Sequence, residues 1–282
     1  MPVAEWEAPA KLNLDLRLRP ADARGKHPLR SLVQTIEWVD VLRLEVGDED
    51  QLDISGAAEG IPEGGENLVW KAVTALGLDS RPPLFIALRK EIAAAAGLGG
   101  GSSNAAAMLM AVADLLGVSG DRVEEAARDV GADVPLFLGG GTAVIEGYGE
   151  RVTPVAALTG FAVAVVVPPF ELATTEVYSR WDVLDAPVGA EVPTASLPPT
   201  LRPAGPMSND LTPAAVSLLP ELADWMVDLS RRWERGIMMS GSGPACFAYF
   251  LDEDEAESAL GGLAEHRAAK AAALRPRGIA PC

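Results

Sequence analysis

The chain has 282 residues, with 23 Lys+Arg against 40 Asp+Glu, a formal charge of −17 at pH 7. That balance excludes a general nucleic-acid binder and a polybasic membrane-surface protein, because both need an excess of positive charge. Two cysteines and two histidines leave little room for a disulfide framework, a Cys/His zinc site or a Ser-His-Asp triad.

The start, Met1-Pro-Val-Ala-Glu-Trp-Glu, is acidic and lacks a basic stretch followed by an apolar core. No secretory leader is expected, and the chain reads as cytoplasmic. Apolar runs such as Phe161 to Pro169 are too short to span a bilayer. Leu12, Leu14, Leu16 and Leu18 alternate with Lys11, Asn13, Asp15 and Arg17, which predicts a half-buried strand. A polar turn from Arg19 to Pro28 follows, then strands over Ser31 to Trp38, Val41 to Val46 and Leu52 to Ser55. Glu66 to Leu76 reads as a helix and Leu84 to Leu88 as a short strand. A second helix is expected over Ser102 to Leu116 and a third through Val130, capped by Ser119. Thr142 to Glu146 reads as a strand.

In the second half, Phe161 to Val167 has the composition of a buried strand and Thr174 to Trp181 that of a helix. Asp182 to Pro206 is rich in Pro, Ala and Val without periodicity and reads as a surface loop. Ser208 to Glu234 is mostly helical in pattern. Ser240-Gly241-Ser242-Gly243-Pro244 is a tight turn before the strand Ala245 to Leu251. Asp252 to His266 reads as the last helix. Strands and helices interleave without a regular repeat, so the expected class is α+β, with a domain boundary near residue 155 separating 1–155 from 156–282.

The segment Gly97-Leu98-Gly99-Gly100-Gly101-Ser102-Ser103-Asn104 lies between a strand and a helix. Its glycines let the backbone approach a ligand, and the helix start offers unpaired N–H groups and a positive dipole end. This is an anion site in form, although a flexible loop with a serine cap has the same composition. Ser102 or Ser103 could reach phosphate oxygens or a Mg²⁺ ion. Neither G-x-x-x-x-G-K-[ST] nor G-x-G-x-x-G occurs, so this is not a P-loop or a dinucleotide fingerprint.

Three ordered segments resemble the motifs of the GHMP kinases (galactose, homoserine, mevalonate and phosphomevalonate kinases). They are Pro9-Ala10-Lys11-Leu12-Asn13-Leu14, Gly97 to Ala106, and Ser240 to Phe247. Gly131-Ala132-Asp133-Val134-Pro135 and Ser208-Asn209-Asp210-Leu211 extend the likeness, which runs from about Pro9 to Phe250. Within the family, the wording Ala96 to Ala106 resembles the branch that phosphorylates the 2-hydroxyl of 4-diphosphocytidyl-2-C-methyl-D-erythritol in non-mevalonate isoprenoid biosynthesis. The resemblance implies a two-domain fold with the site in the cleft, ATP and Mg²⁺ as cofactors, a small-molecule substrate, and a monomer or homodimer.

It also implies roles for residues. Lys11 and Asp133 match the catalytic positions: a cation beside the acceptor hydroxyl, and a carboxylate that takes its proton. By residue type alone, Lys11 is also a solvated strand lysine and Asp133 a helix cap. Asn67 and Lys90 match positions near the adenine, and Gly97 through Asn104 (Leu98 included) the phosphate loop. Asn13, Lys26, His27, Thr174 and Tyr178 match the acceptor side. Two departures stand out. The family's Gly-Tyr-His is here Gly25-Lys26-His27, and lysine has no aromatic face to stack on a base. The proline usual before the loop is absent from Ile92-Ala93-Ala94-Ala95-Ala96. A different small alcohol as acceptor, or a non-catalytic nucleotide-binding relative, therefore stays open.

Overall fold

The computed structural model describes residues 4–282. The reading of Met1, Pro2 and Val3 as part of a leaderless start lies outside them. The first sheet is built on two long antiparallel strands, β1 (Ala4–Leu18) and β2 (Leu29–Val46), paired from Ala4↔Leu44 to Leu18↔Leu29. The pairing slips between Pro9 and Ala10 and between Asn13 and Asp15. Such bulges re-aim side chains beside a site. β2 is one strand where two were expected. Asp40 lies between the two apolar runs but is fully buried within the strand rather than marking a turn.

The other edge of β2 is shared. Its first half pairs with β5 (Thr142–Gly147) and its second half with β4 (Leu84–Lys90). β3 (Gln51–Gly56) runs parallel to β4, and β6 (Arg151–Pro154) closes a hairpin with β5. β11 (Ala280–Pro281) returns from the far end of the chain to pair with β1. Helices α1 (Leu68–Ala75), α2 (Gly100–Leu116) and α3 (Gly120–Val130) cover one face. The alanines and Met108 of α2 pack on Leu42, Leu44 and Ile86 of the sheet. Ser119 occupies the cap position of α3 without a capping bond from its side chain. The short α4 (Val134–Gly139) follows.

The second sheet has the order β10 (Ala268–Ala273), β7 (Ala162–Val167), β9 (Cys246–Phe250), β8 (Met238–Met239), all antiparallel. One face places Val163, Val165 and Phe247 against Ala10, Leu12 and Leu14 of β1, so the two sheets share a core. Burial of side chains this size contributes about 1.5–3 kcal/mol each. The other face is covered by α5 (Thr174–Val183), α6 (Thr212–Leu218), α7 (Glu221–Trp233) and α8 (Glu253–Leu260).

Several expectations change. β1 is not half exposed: its polar phase is buried too, with Lys11 5%, Asn13 3% and Asp15 9% exposed. The segment from Ser208 begins as a turn and is helical only from Thr212, with a break where Pro220 caps α7. The last helix stops at Leu260, before Gly261-Gly262, rather than at His266. β10 has a helix-like composition, Ala-Ala-Lys-Ala-Ala-Ala, yet pairing with β7 makes it a strand. The stretch 184–206 carries two short 3₁₀ turns and is anchored by buried Leu197 and Leu201 and by a Val192↔Met207 bridge. Among the described residues no helix is long and apolar enough to cross a membrane.

Candidate active site

The glycine loop joins β4 to α2. Gly99 sits at the cap of α2 at φ +73° and offers no side chain to the helix end. The first helical bond runs from Ser103 N to Gly99 O (2.9 Å), so among the described residues the N–H groups of Gly100, Gly101 and Ser102 have no protein partner. They point a seventeen-residue helix dipole at open space. The loop is held from behind. Ala96 O accepts from Ala245 N (3.1 Å), Leu98 O from Lys11 N (2.9 Å), and Gly97 O from the Ser240 hydroxyl (3.0 Å). This couples the turn 240–244 directly to the glycine loop.

Lys11 lies under that junction. Its Nζ donates to Asn13 Oδ1 (2.5 Å) and to Gly97 O (3.0 Å), and stands 3.9 Å from Asp133 Oδ2. Burial pulls the Lys11 ammonium below the ordinary lysine value, and the Asp133 carboxylate opposes that shift. Asn13 is held in turn: its Nδ2 donates to Ser31 Oγ (2.9 Å). Asp133 occupies the cap position of α4 but accepts no bond from that helix, and its side chain is 36% exposed. Of the two readings open for Asp133, helix cap and functional carboxylate, the first finds no capping hydrogen bond in the structure. An accessible carboxylate can take a proton from a hydroxyl, and a buried ammonium beside it can stabilise the negative charge that develops on the hydroxyl oxygen.

Lys90 is not a free lysine. Its Nζ pairs with Asp40 Oδ2 and donates to Asn104 Oδ1 (2.9 Å). Asn67 caps α1, accepting from Val69 N (2.9 Å) and donating to Pro62 O (2.7 Å). Ser103 is fully buried, and its hydroxyl has no partner among the described residues. Ser102 faces the cavity instead.

Thr174 and Tyr178 project from α5. Thr174 Oγ1 lies 2.8 Å from Ser242 Oγ. Burial, with a further contribution from Asp133, pushes the Tyr178 phenol up to about 12. His27 packs its ring against Tyr178 and Trp181, both at 5.4 Å, and its Nε2 is 2.7 Å from Asp182 Oδ1. Lys26 is exposed, with its Nζ 5.4 Å from the centre of the Tyr148 ring.

One cavity of about 610 Å³ brings Lys11, Asn13, Asn67, Lys90, Gly97 through Ser102, Asn104, Asp133, Thr174 and Tyr178 together. Lys26, His27 and Ser103 do not line it. The cavity lies between elements of the two sheets, since Leu211, Gly241 and Ser242 also line it. Sequence reasoning missed Tyr148, which forms part of the wall, and Asp40, which lies behind it. An acid inside an apolar strand and an aromatic between two glycines were the available signals.

The sequence profile of the GHMP kinases N terminal domain matches residues 67–141, and that of the GHMP kinases C terminal domain residues 201–269. The 4-diphosphocytidyl-2-C-methyl-D-erythritol kinase of Geobacter metallireducens is 34% identical over 259 residues, covering 90% of this chain and 91% of its own. The enzyme of the same name from Methylorubrum extorquens is 36% identical over 282 residues, covering 93% and 95%. A crystal structure of 4-(cytidine 5'-diphospho)-2C-methyl-D-erythritol kinase superposes with TM-score 0.78 at 34% identity, over 96% of this chain and 98% of that one. Homoserine kinase from Cytophaga hutchinsonii shares the fold, with TM-score 0.71 at 17% identity. With motifs, fold and cavity in agreement, the chain belongs to the GHMP kinase family and is a small-molecule kinase.

Proposed function

We propose that this chain is a cytoplasmic 4-diphosphocytidyl-2-C-methyl-D-erythritol kinase of non-mevalonate isoprenoid biosynthesis. It transfers the γ-phosphoryl group of ATP to the acceptor's 2-hydroxyl. The observation that carries this reading is the 3.9 Å pairing of Lys11 with Asp133 in the same cavity as the unpartnered N–H groups of α2. The full-length likeness to relatives of that name supports it. In the reaction, Asp133 takes the hydroxyl proton as the oxygen attacks the γ-phosphorus. The new P–O bond forms as the bond to the β-phosphate oxygen breaks, and ADP leaves. Lys11 offsets the charge that gathers on the moving group. Residues 1–155 carry the nucleotide loop and Asp133, while 156–282 contribute Thr174 and Tyr178 to the acceptor wall.

Mg²⁺ fits as an ion that arrives with the nucleotide. Among the described residues no group of three or more His, Cys, Asp or Glu could hold a metal alone. Ser102, which lines the cavity, is the residue that would contribute a ligand oxygen; the buried Ser103 is not. The ion supplies charge neutralisation at the phosphates.

A second acceptor class is favoured by one observation. Lys26, where the resembling branch carries tyrosine, lies over Tyr148 and outside the cavity lining. Coupled ADP release, measured with the cytidyl diphosphate erythritol, homoserine, mevalonate and phosphomevalonate, tests both readings. Turnover with the cytidyl acceptor is expected. Turnover only with another alcohol would replace it, and ATP binding without any turnover would make the chain a non-catalytic relative.

A further inference from the structure

Among the described residues Asp40 is the one fully buried carboxylate of the first sheet beneath the phosphate loop, and all of its acceptor capacity is used. Oδ1 accepts from the N–H groups of Glu91 (2.7 Å) and Ile92 (2.9 Å), at the point where the chain leaves β4. Oδ2 accepts from Asn104 Nδ2 (2.9 Å), in the second turn of α2, and from Lys90 Nζ. Lys90 in turn donates to Asn104 Oδ1 (2.9 Å). The result is a closed ring of Asp40, Lys90 and Asn104 that ties β2, β4 and α2 at one place.

An ammonium has three N–H donors. Two of those on Lys90 go to Asp40 and Asn104. Lys90 also lines the cavity, and a methyl group built on Gly100 would sit 3.2 Å from its Nζ. Its remaining donor therefore lies beside the backbone whose unpartnered N–H groups open α2. Lys90 is pinned at the main chain as well, since its carbonyl accepts from Ala57 N (2.9 Å). A lysine buried to 4% exposure would be costly without a counter-charge, and a flexible four-carbon stem would not otherwise hold one direction. Asp40 supplies both the counter-charge and the direction.

We infer that Asp40 is a positioning residue for ATP: it fixes the Lys90 ammonium and the first turns of α2 so that both face the bound nucleotide. Asp40 is fully buried, does not line the cavity, and acts through Lys90. This rests on the reading that α2 takes the phosphates of ATP.

The test is steady-state kinetics together with direct ATP binding, on wild type, Asp40→Asn, Lys90→Met and the double variant Asp40→Asn/Lys90→Met. Asp40→Asn is expected to raise the KM and Kd for ATP by about 10- to 100-fold, the range for a lost hydrogen bond to a charged group. The acceptor KM should stay within about twofold. Lys90→Met should have a similar effect. Adding Asp40→Asn to Lys90→Met should change ATP affinity little further, because the two act as a unit. If either single variant fails to fold, the double variant, which removes both buried charges, still carries the test. It must show weakened ATP binding with the acceptor KM retained. Wild-type ATP affinity in Asp40→Asn, or in the double variant, overturns the inference. So does a further drop in ATP affinity when Asp40→Asn is added to Lys90→Met, or an equal rise in both KM values. Failure of the wild-type protein to bind ATP would instead refute the reading of the loop itself.

Discussion

Replacing Gly97 by alanine tests whether the active-site geometry is transmitted through the glycine loop. Gly97 sits at φ +79°, where alanine costs about 1 kcal/mol. A Cβ there would stand 2.2 Å from Ser240 O and 3.1 Å from Gly243 N. Both are backbone atoms, so no side chain can swing away, and the two loops must part by about 1 Å. Gly97 O is also the atom that holds Lys11 Nζ and the Ser240 hydroxyl, each at 3.0 Å. The ammonium would therefore shift with the loop. A misplacement of about 1 Å at a reacting centre costs about 100-fold in rate. We expect kcat in the coupled ADP-release assay to fall by about that factor, with a folded protein of reduced melting temperature. Gly101→Ala is the comparison. Its Cβ would meet nothing closer than Leu68 Cδ1 at 3.4 Å, and its φ is not left-handed. It should fold normally and chiefly raise the KM for ATP, because the added methyl enters space the phosphates need. A Gly97→Ala variant that keeps kcat within about threefold of wild type would refute the coupling.

Asp133→Asn should lower kcat by about 10²- to 10⁴-fold, the range for a lost proton acceptor. Its melting temperature should fall only slightly, since Asp133 makes no capping bond and its tie to Lys11 is a 3.9 Å ion pair; a near-normal rate would remove its role. Lys11→Met should abolish turnover and alter the pH dependence of stability. Burial lowers the folded-state value of Lys11 below 10.5, so between that lowered value and 10.5 the unfolded chain binds more protons. This group's contribution to stability therefore rises with pH across that window. Chemical denaturation between neutral and alkaline pH should show the rise in wild type and its loss in the variant; an identical slope would contradict the burial argument. Lys26→Tyr should lower the KM for the cytidyl acceptor by about fivefold or more, as expected for one added base-stacking partner. An unchanged KM would leave base contact to Tyr148 and Tyr178.

The legible parts of the fold were those where local pattern and burial coincide. The buried strand Phe161 to Val167 and the alanine-rich α2 read directly, because each is surrounded by partners on the faces its sequence predicts. β1 misled in an instructive way. Alternation predicts one wet face, but the polar phase of β1 is covered, and Lys11, Asn13 and Asp15 are buried because they bond to each other's surroundings rather than to water. Period-two patterning reports polarity, and polarity at an active site is not exposure. β10 and β11 were invisible since their pairing partners lie about a hundred residues or more away, and alanine carries no strand preference of its own. For the site, the motifs located many of the cavity-lining residues, but they missed Tyr148 and included Lys26, His27 and Ser103, which do not line the cavity. They could not reveal which side chains are already occupied by one another: Lys90 by Asp40, Asn13 by Lys11 and Ser31, His27 by Asp182.

Those occupied side chains bear on how a chain of charge −17 holds a polyphosphate. Of its five lysines, two reach the cavity, and each faces a carboxylate: Lys11 meets Asp133, and Lys90 meets Asp40. Neither pair adds a full free positive charge to the site. What remains unopposed is the N-terminus of α2, where backbone N–H groups and the helix dipole supply fixed partial charge with no counter-ion. The side chains then add direction to that attraction rather than net charge. Asp40 sets where the Lys90 ammonium lies, and Asp133 meets Lys11 at 3.9 Å, longer than a hydrogen bond and open to a hydroxyl between them. Attraction is assigned to the backbone N–H groups and the positioned Lys90, and the discrimination between ground state and transferring phosphoryl group to Lys11, whose charge is balanced until the acceptor proton moves onto Asp133. At that moment Lys11 loses its counter-charge and its attraction to the moving phosphoryl group is strongest, which places the largest electrostatic gain at the transfer step rather than at binding.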